Sequence, residues 1–262
     1  MKKTIFYILL LVLFILAQSC EKVIDIQVND EIGKLVIEAS INNTSSQQEI
    51  KLSRNVSFSA GNDYPSVKGA KVIVYDDEEK EYVFQETISG TYVAKDFTGQ
   101  SGRSYSMDIQ VNESKFTAKS KMPQVILLDS IIAEKPKLGD KDTRNIKVFY
   151  RDPKDDANQY RFILFVNNKQ IKDVYALNDD FNNGNPVSIT LRPSDDEEIY
   201  PGDQIRVEML CIDKSIYNYW YSLMQQSSGG GIAPSNPPTN ISPSVFGYFS
   251  AQTISSKSIV VN

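Results

Sequence analysis

From Lys34 onward, apolar and polar residues alternate. In KLVIEASI the side chains of Leu35, Ile37, Ala39 and Ile41 fall on one face of a strand. QEIKLSRN follows after a polar turn, and SFSAGNDYPSVKG reads as a loop rich in Gly, Asn, Asp and Pro. AKVIVYDDEEKEYVF has the pattern of a hairpin whose acidic turn covers Asp76–Lys80. GTYVAKDF, GRSYSMDIQV and NESKFTAKSKMP add further strands up to Pro123. Short strands at this density, separated by frequent turn signals, predict an immunoglobulin-like or transthyretin-like β-sandwich over residues 34–123.

The period stays near two beyond Pro123. DSIIAEK, RNIKVFYRD, QYRFILFVNNKQIKDVYAL, PVSITLRP and DQIRVEMLCID predict a second, antiparallel β domain over residues 124–262. One stretch breaks the alternation. After Asp213, a residue suited to an N-cap, Ile216, Tyr219, Trp220 and Leu223 recur at helical spacing. This predicts one short amphipathic helix near residues 213–226. Tyr217, Tyr221 and Met224 form a stripe beside the first. Residues 227–242 read as an irregular, proline-rich loop, and VFGYFSAQTISSKSIVVN supplies the final strands.

The first twenty residues have a different pattern. Lys2 and Lys3 precede an uncharged apolar run from Ile5 to Ala17, and Gln18, Ser19 and Cys20 follow. This is the layout of a secretory signal peptide. The apolar run would rise about 20 Å as a helix, short of a hydrocarbon core of about 30 Å. Leu16, Ala17 and Ser19 before Cys20 resemble a lipobox, so residues 1–19 are expected to be a lipoprotein-type signal peptide cleaved before Cys20. Cys20 is the expected lipidation site. Residues 20–33 then form a lipidated tether, in which VIDIQV alternates as an edge strand would.

Composition narrows the function. The formal net charge of the 262 residues is −5, and losing Lys2 and Lys3 with the leader makes it more negative. That balance argues against nucleic acid as a partner. The chain contains no His, which excludes Ser-His-Asp and Cys-His catalysis and His-ligated metal sites. Cys211 is the one thiol besides Cys20. It lies in the apolar run RVEMLCIDK, which reads as a core position.

Several segments together resemble a known family. CEKVIDIQVND, KLVIEASI, YPSVKGAKVIVYDD, GTYVAKDFTGQSGRSYSMDIQV and SKMP, with the C-terminal NPPTNIS and GYFSAQTISSKSIVV, resemble the Bacteroidota lipoproteins of domain-of-unknown-function family 4249. The NPPTNIS–GYFSA part is the most specific. The resemblance implies an outer-membrane lipoprotein facing the cell surface and partnered with a TonB-dependent receptor. It supplies no catalytic residues and no cofactor. Glu21-Lys22 lacks the acidic run of a surface-export signal, which keeps the periplasmic face as the alternative. In exported proteins of such bacteria, Asp129-Ser130-Ile131 resembles an O-glycosylation pattern, with Ser130 as the acceptor.

The acidic clusters Asp76–Glu79, Asp152–Asp156, Asp179–Asp180 and Asp195–Glu198 suit solvated turns, with a Ca²⁺ site as the alternative. None has EF-hand spacing. Tyr217, Tyr219, Trp220 and Tyr221 suit packing more than ligand stacking. Gly229-Gly230-Gly231 follows a helix, whereas a phosphate loop precedes one. Asn236, Pro237, Pro238, Asn240, Tyr248 and Phe249 form the expected partner-contact loop. The expected function is non-catalytic: an accessory to a TonB-dependent receptor that captures or hands over an unidentified small ligand, with no metal. The rivals are a structural or adhesive surface lipoprotein and, remotely, a carboxylate-dependent hydrolase.

Overall fold

The alternating segments up to Lys121 form seven strands: β1 (Leu35–Asn42), β2 (Gln47–Arg54), β3 (Lys71–Asp76), β4 (Glu81–Ile88), β5 (Thr91–Lys95), β6 (Ser104–Val111) and β7 (Ser114–Lys121). These come from a computed structural model that describes residues 32–57, 60–61, 63–136, 142–154, 157–180, 184–194, 197–227 and 235–262. The leader, Cys20 and the VIDIQV segment lie outside the described residues. The strands form two layers joined by β4. Its first residues, Glu81–Phe84, pair with β3, and Gln85, Glu86 and Ile88 pair with β5. The inward side chains, among them Ile37, Ile50, Tyr92, Phe97, Tyr105 and Met107, form one core.

The second half contributes β8 (Leu128–Glu134), β9 (Asn145–Arg151), β10 (Gln159–Val166), β11 (Lys169–Gln170), β12 (Tyr175–Asn178), β13 (Pro186–Leu191) and β14 (Gln204–Ile212). The long stretch from Gln159 to Asn178 is three strands rather than one. Asn167 and Asn168 both take positive φ, 50° and 67°, and fold β10 back onto β11 as a two-residue hairpin. Asn tolerates this left-handed backbone, and two such residues in succession make a turn whose twist suits a hairpin. The sheet β13–β9–β8 faces β10 and β14 across a second core containing Tyr150, Tyr160, Phe162, Val207 and Met209. Cys211 is buried there, as its apolar surroundings predicted, and burial pushes its thiol pKa up.

Helix α1 (Lys214–Ser227) begins directly after Asp213, whose Oδ1 accepts the N–H of Ser215 at 2.9 Å and of Ile216 at 3.1 Å. After it come β15 (Ile241–Ser242) and β16 (Phe246–Val260). These last strands do not stay with the second half. β15 pairs with β7. β16 runs parallel to β1 from Phe246 to Gln252, then antiparallel to β14 from Thr253 to Val260. One 15-residue strand is thus an edge of both sandwiches. Residues Gly33–Asn262 accordingly form one unit. The chain end is fixed as well: Val261 N–H donates to Asp203 O at 3.0 Å, and Gly202 N–H to Val261 O at 2.8 Å.

The β1–β16 contact leaves no room for a side chain at Gly247. Its φ is +98°, and a Cβ built there would lie 1.9 Å from Ile37 O. Gly247→Ala is expected to cost more than about 4 kcal/mol or to abolish folding, because backbone would have to move. Gly69→Ala is the control: φ is +68° with nothing within 4 Å. It should cost only about 1–2 kcal/mol of left-handed strain. Urea melts of both variants test the difference.

Candidate functional site

The segment expected to contact a partner is divided by the fold. Asn236 and Pro238 are exposed and Pro237 is half-buried. Asn240 acts as a substitute strand neighbour. Its Oδ1 accepts Phe249 N–H at 3.0 Å, and its Nδ2 donates to Phe249 O at 2.8 Å and to Lys119 O at 3.2 Å. Phe249 is fully buried in the first core, because alternation along β16 turns it inward. Its ring has no surface left for a partner. Tyr248 points to the opposite face and packs against α1. Ser130 and Asp129 are exposed on β8, an edge strand, while Ile131 beside them is buried. Cys20 and Gly229–Gly231 lie outside the described residues.

The aromatic residues of α1 lie on the outer face of the β10–β14–β16 sheet. The Tyr219 and Tyr248 rings are 5.0 Å apart, Trp220 and Tyr248 5.2 Å. Beneath them the Arg161 guanidinium carbon sits 3.3 Å from the Trp220 ring centre, a cation–π stack. Burial pushes the Arg161 pKa down, and the hydroxyls of Tyr248 and Tyr219 partly offset this. Burial holds Tyr219 up at about 12. Ile216 is buried, and with Leu210, Ile212 and Ile254 it forms a small third core. The helix therefore packs more than it presents, with Tyr221 the exposed aromatic. Sequence spacing gave the aromatic stripe, but Arg161 under it was hidden among the polar positions of β10.

A cleft of about 390 Å³ opens at the start of α1, where Lys121 and Met122 of the first half meet Gln124, Asn158 and Lys214 of the second. Its wall is held by one hydroxyl. Ser120 Oγ–H donates to Asp213 Oδ2 and accepts Ala251 N–H at 2.9 Å. The helix cap, β7 and β16 therefore meet at a single polar point.

The acidic clusters differ from one another. Asp76 is buried, which alone would raise its pKa. The N–H groups of Lys80 and Glu78, the Tyr82 hydroxyl and Arg103 outweigh burial and hold it below the usual carboxylate value. Tyr82 is pushed up to about 12 by burial and by this hydrogen bond. Arg103 also pairs with Glu78 at 2.6 Å, so this cluster closes a turn. Asp195 and Asp196 lie outside the described residues, and Glu198 accepts the Tyr200 hydroxyl. Asp155 and Asp156 also lie outside them. Asp152 and Asp179, from two separate clusters, are both held against β10, Asp152 by the Tyr160 hydroxyl and Asp179 by the Asn158 N–H. Asp152 is 1% exposed and Asp179 5%. Burial raises the Asp152 pKa, against the pull of the Tyr160 O–H and with a further push from the Asp179 charge, while the Gly184 N–H draws it back down. Among the described residues, no three Asp, Glu, His or Cys side chains gather to hold a metal ion by themselves. No described helix is long and apolar enough to cross a membrane.

Residues 21–258 match the family described as Domain of unknown function (DUF4249), and the chain belongs to that family. No curated protein matches the sequence. Among solved structures the chain is similar to the Yersinia pseudotuberculosis adhesin InvE, at 15% identity and a TM-score of 0.21 over 68% of this chain. The chain spans 55% of the adhesin's length.

Asp76→Asn is expected to lower stability by about 1–3 kcal/mol at pH 7. The folded pKa lies below the unfolded value of about 3.9. The Asp76 contribution is therefore present above that value and lost as pH falls through the folded one. Urea melts from pH 7 to pH 2 should show the gap between the two proteins closing in acid. Asp213→Ala, which removes both the helix cap and the acceptor for Ser120, should cost about 2 kcal/mol, and Asp213→Asn less than half of that.

Proposed function

We propose that, as a member of this family, the chain is a non-catalytic lipoprotein anchored in the outer membrane through Cys20. There it serves a TonB-dependent receptor in ligand capture or uptake at the cell surface. The observation that carries this reading is the order of segments at the N-terminus. The basic pair Lys2-Lys3, the apolar run Ile5–Ala17 and the lipobox-like residues end at Cys20, and the family match begins at residue 21. Lipid chains on one cysteine anchor stably once there are two or more of them, at about 0.8 kcal/mol per buried methylene.

The architecture supports a presenting role. Two sandwiches that share β16 make a stiff body, and stiffness lowers the entropy lost when a partner docks. The exposed residues Asn236 and Pro238 and the cleft beside Lys121 and Lys214 are the surfaces such a body offers.

A second reading, a structural or adhesive surface lipoprotein without a transport role, is favoured by one feature. Val125, Leu127 and Ile132 lie exposed along and just before the edge strand β8, with Leu127 66% exposed. An apolar, unpaired edge of this kind can accept another strand.

Cross-linking in the native host, followed by purification through a tag after Asn262, tests the choice. A TonB-dependent receptor recovered in near-equal amount supports the accessory role, and a surface-exposed protein recovered alone sinks it. Separately, Cys20→Ser should move the protein from the carbonate-washed outer-membrane pellet to the soluble fraction. Retention in the pellet would overturn the lipid anchor.

A further inference from the structure

A strand edge without a neighbour offers free N–H and C=O groups to any other chain, and proteins blunt such edges with short strands, Pro or Lys. Among the described residues most edges here are blunted in these ways. β11 and β15 are two residues long and β12 is four. β4 changes neighbours halfway, so neither of its sides is open for more than four residues. β7, covered by β15 at Thr117 and Ala118, carries Lys115, Lys119 and Lys121. β13 begins with the exposed Pro186. β16 beyond Thr253 is paired by β14 alone and carries the exposed Lys257. β8 is the exception. It ends the β13–β9–β8 sheet with seven residues and contains neither Pro nor Lys. Its bulge lies at the start, around Asp129, and Ser130–Glu134 run in regular register against β9. Ile132 stands 45% exposed in the middle of that run.

A second copy of this chain is complementary to that edge. In a twofold antiparallel pair the same strand meets itself, and the residue on the axis sets the register. Opposed side chains share a face. Ile131 is buried and Ile132 is exposed, so a register that opposes these two would turn core residues outward. The in-phase registers near the middle of β8 are centred on Ile131, Ile132 or Ala133. The first sets Glu134 opposite the buried Leu128, and the third sets Lys135 opposite the buried Ile131. Centring on Ile132 sets Ile132 opposite itself and Ile131 opposite Ala133, both of which face the core. It also sets Ser130 opposite Glu134 and Asp129 opposite Lys135, each twice by symmetry. Hydroxyl–carboxylate and acid–base pairs of this kind stabilise sheets. Asp129 is exposed and has no ion pair among the described residues, and Lys135 holds only the exposed Asp142, at 3.0 Å.

We propose that two copies of this chain associate through β8, antiparallel and centred on Ile132, joining two three-stranded sheets into one of six strands. The contact goes beyond the function proposed above and holds for either reading of it.

The test uses the full chain in intact cells of its native host. In Ile132→Cys the two new thiols face each other, with Cβ atoms about 4.5–5.5 Å apart. Mild oxidation should therefore link most of the protein into a dimer on a non-reducing gel. In Ser130→Cys the thiols lie four residues apart along the joined strands, about 14 Å, and should stay unlinked. Both substitutions replace exposed side chains, and Cys211 is buried, so the unmodified chain supplies the background. Sedimentation of the purified chain in detergent gives the second readout. The unmodified chain should be a dimer. Asp129→Lys or Lys135→Asp alone should weaken it about 2- to 30-fold, and the two together should restore it. Equal linking at positions 130 and 132, linking of Ile132→Cys to a different protein alone, a monomer in sedimentation, or a double charge swap that restores nothing would each overturn the contact.

Discussion

Everything in this molecule depends on β16 changing its neighbour between Gln252 and Thr253. A strand that leaves one ladder for another exposes N–H groups that neither ladder reaches, and a buried donor left unmet costs about 1–3 kcal/mol. The chain meets three of them with side chains. Asn240 accepts from Phe249, Ser120 from Ala251, and Asn43 from Ile254 at 2.8 Å. Ser255 Oγ in turn accepts Leu128 N–H at 2.8 Å, which fixes the start of β8. The side chains that solve a local hydrogen-bond problem are the same ones that join the two sandwiches.

That solution explains why a proline-rich segment precedes β16. β16 must return to the first half after α1 has capped the second, so the chain has to cross between them. Asn240 and β15 mark where it lands, against β7 and beside β16. α1 then covers the outer face next to the crossing, with Tyr248 from the β1-paired part of β16 against Trp220. Arg161 under this aromatic layer is met by the Trp220 ring and the Tyr248 hydroxyl rather than by a carboxylate. The arrangement costs less for a guanidinium than for the more strongly hydrated lysine ammonium.

Polar groups are treated in opposite ways at the two ends. Asp76 is buried but fully engaged by a turn and by Arg103, so its charge is satisfied where it stands. Asp152 is buried deeper and is engaged by the Tyr160 hydroxyl, with no Lys or Arg paired to it among the described residues. Both belong to acidic runs that look alike in sequence. What separates them is which chain segments the tertiary fold brings alongside: a guanidinium for Asp76, a tyrosine hydroxyl for Asp152.

The sequence by itself determined most of the strands, and the helix and its cap. Alternation, turn residues and helical spacing act over a few residues, so LVIEASI, the turn around Asp76, and the Asp213 start of α1 were all legible from side-chain order. The family was legible too, in the NPPTNIS–GYFSA segment. Only the tertiary structure decided that this segment is a joint between sandwiches, that Phe249 faces a core, and that Arg161 lies under Trp220. Those outcomes rest on pairings between residues distant along the chain. Local pattern sets which face of a strand is apolar. It does not set which backbone will lie beside that strand, because that is fixed only when distant N–H and C=O groups find one another inside a closed core.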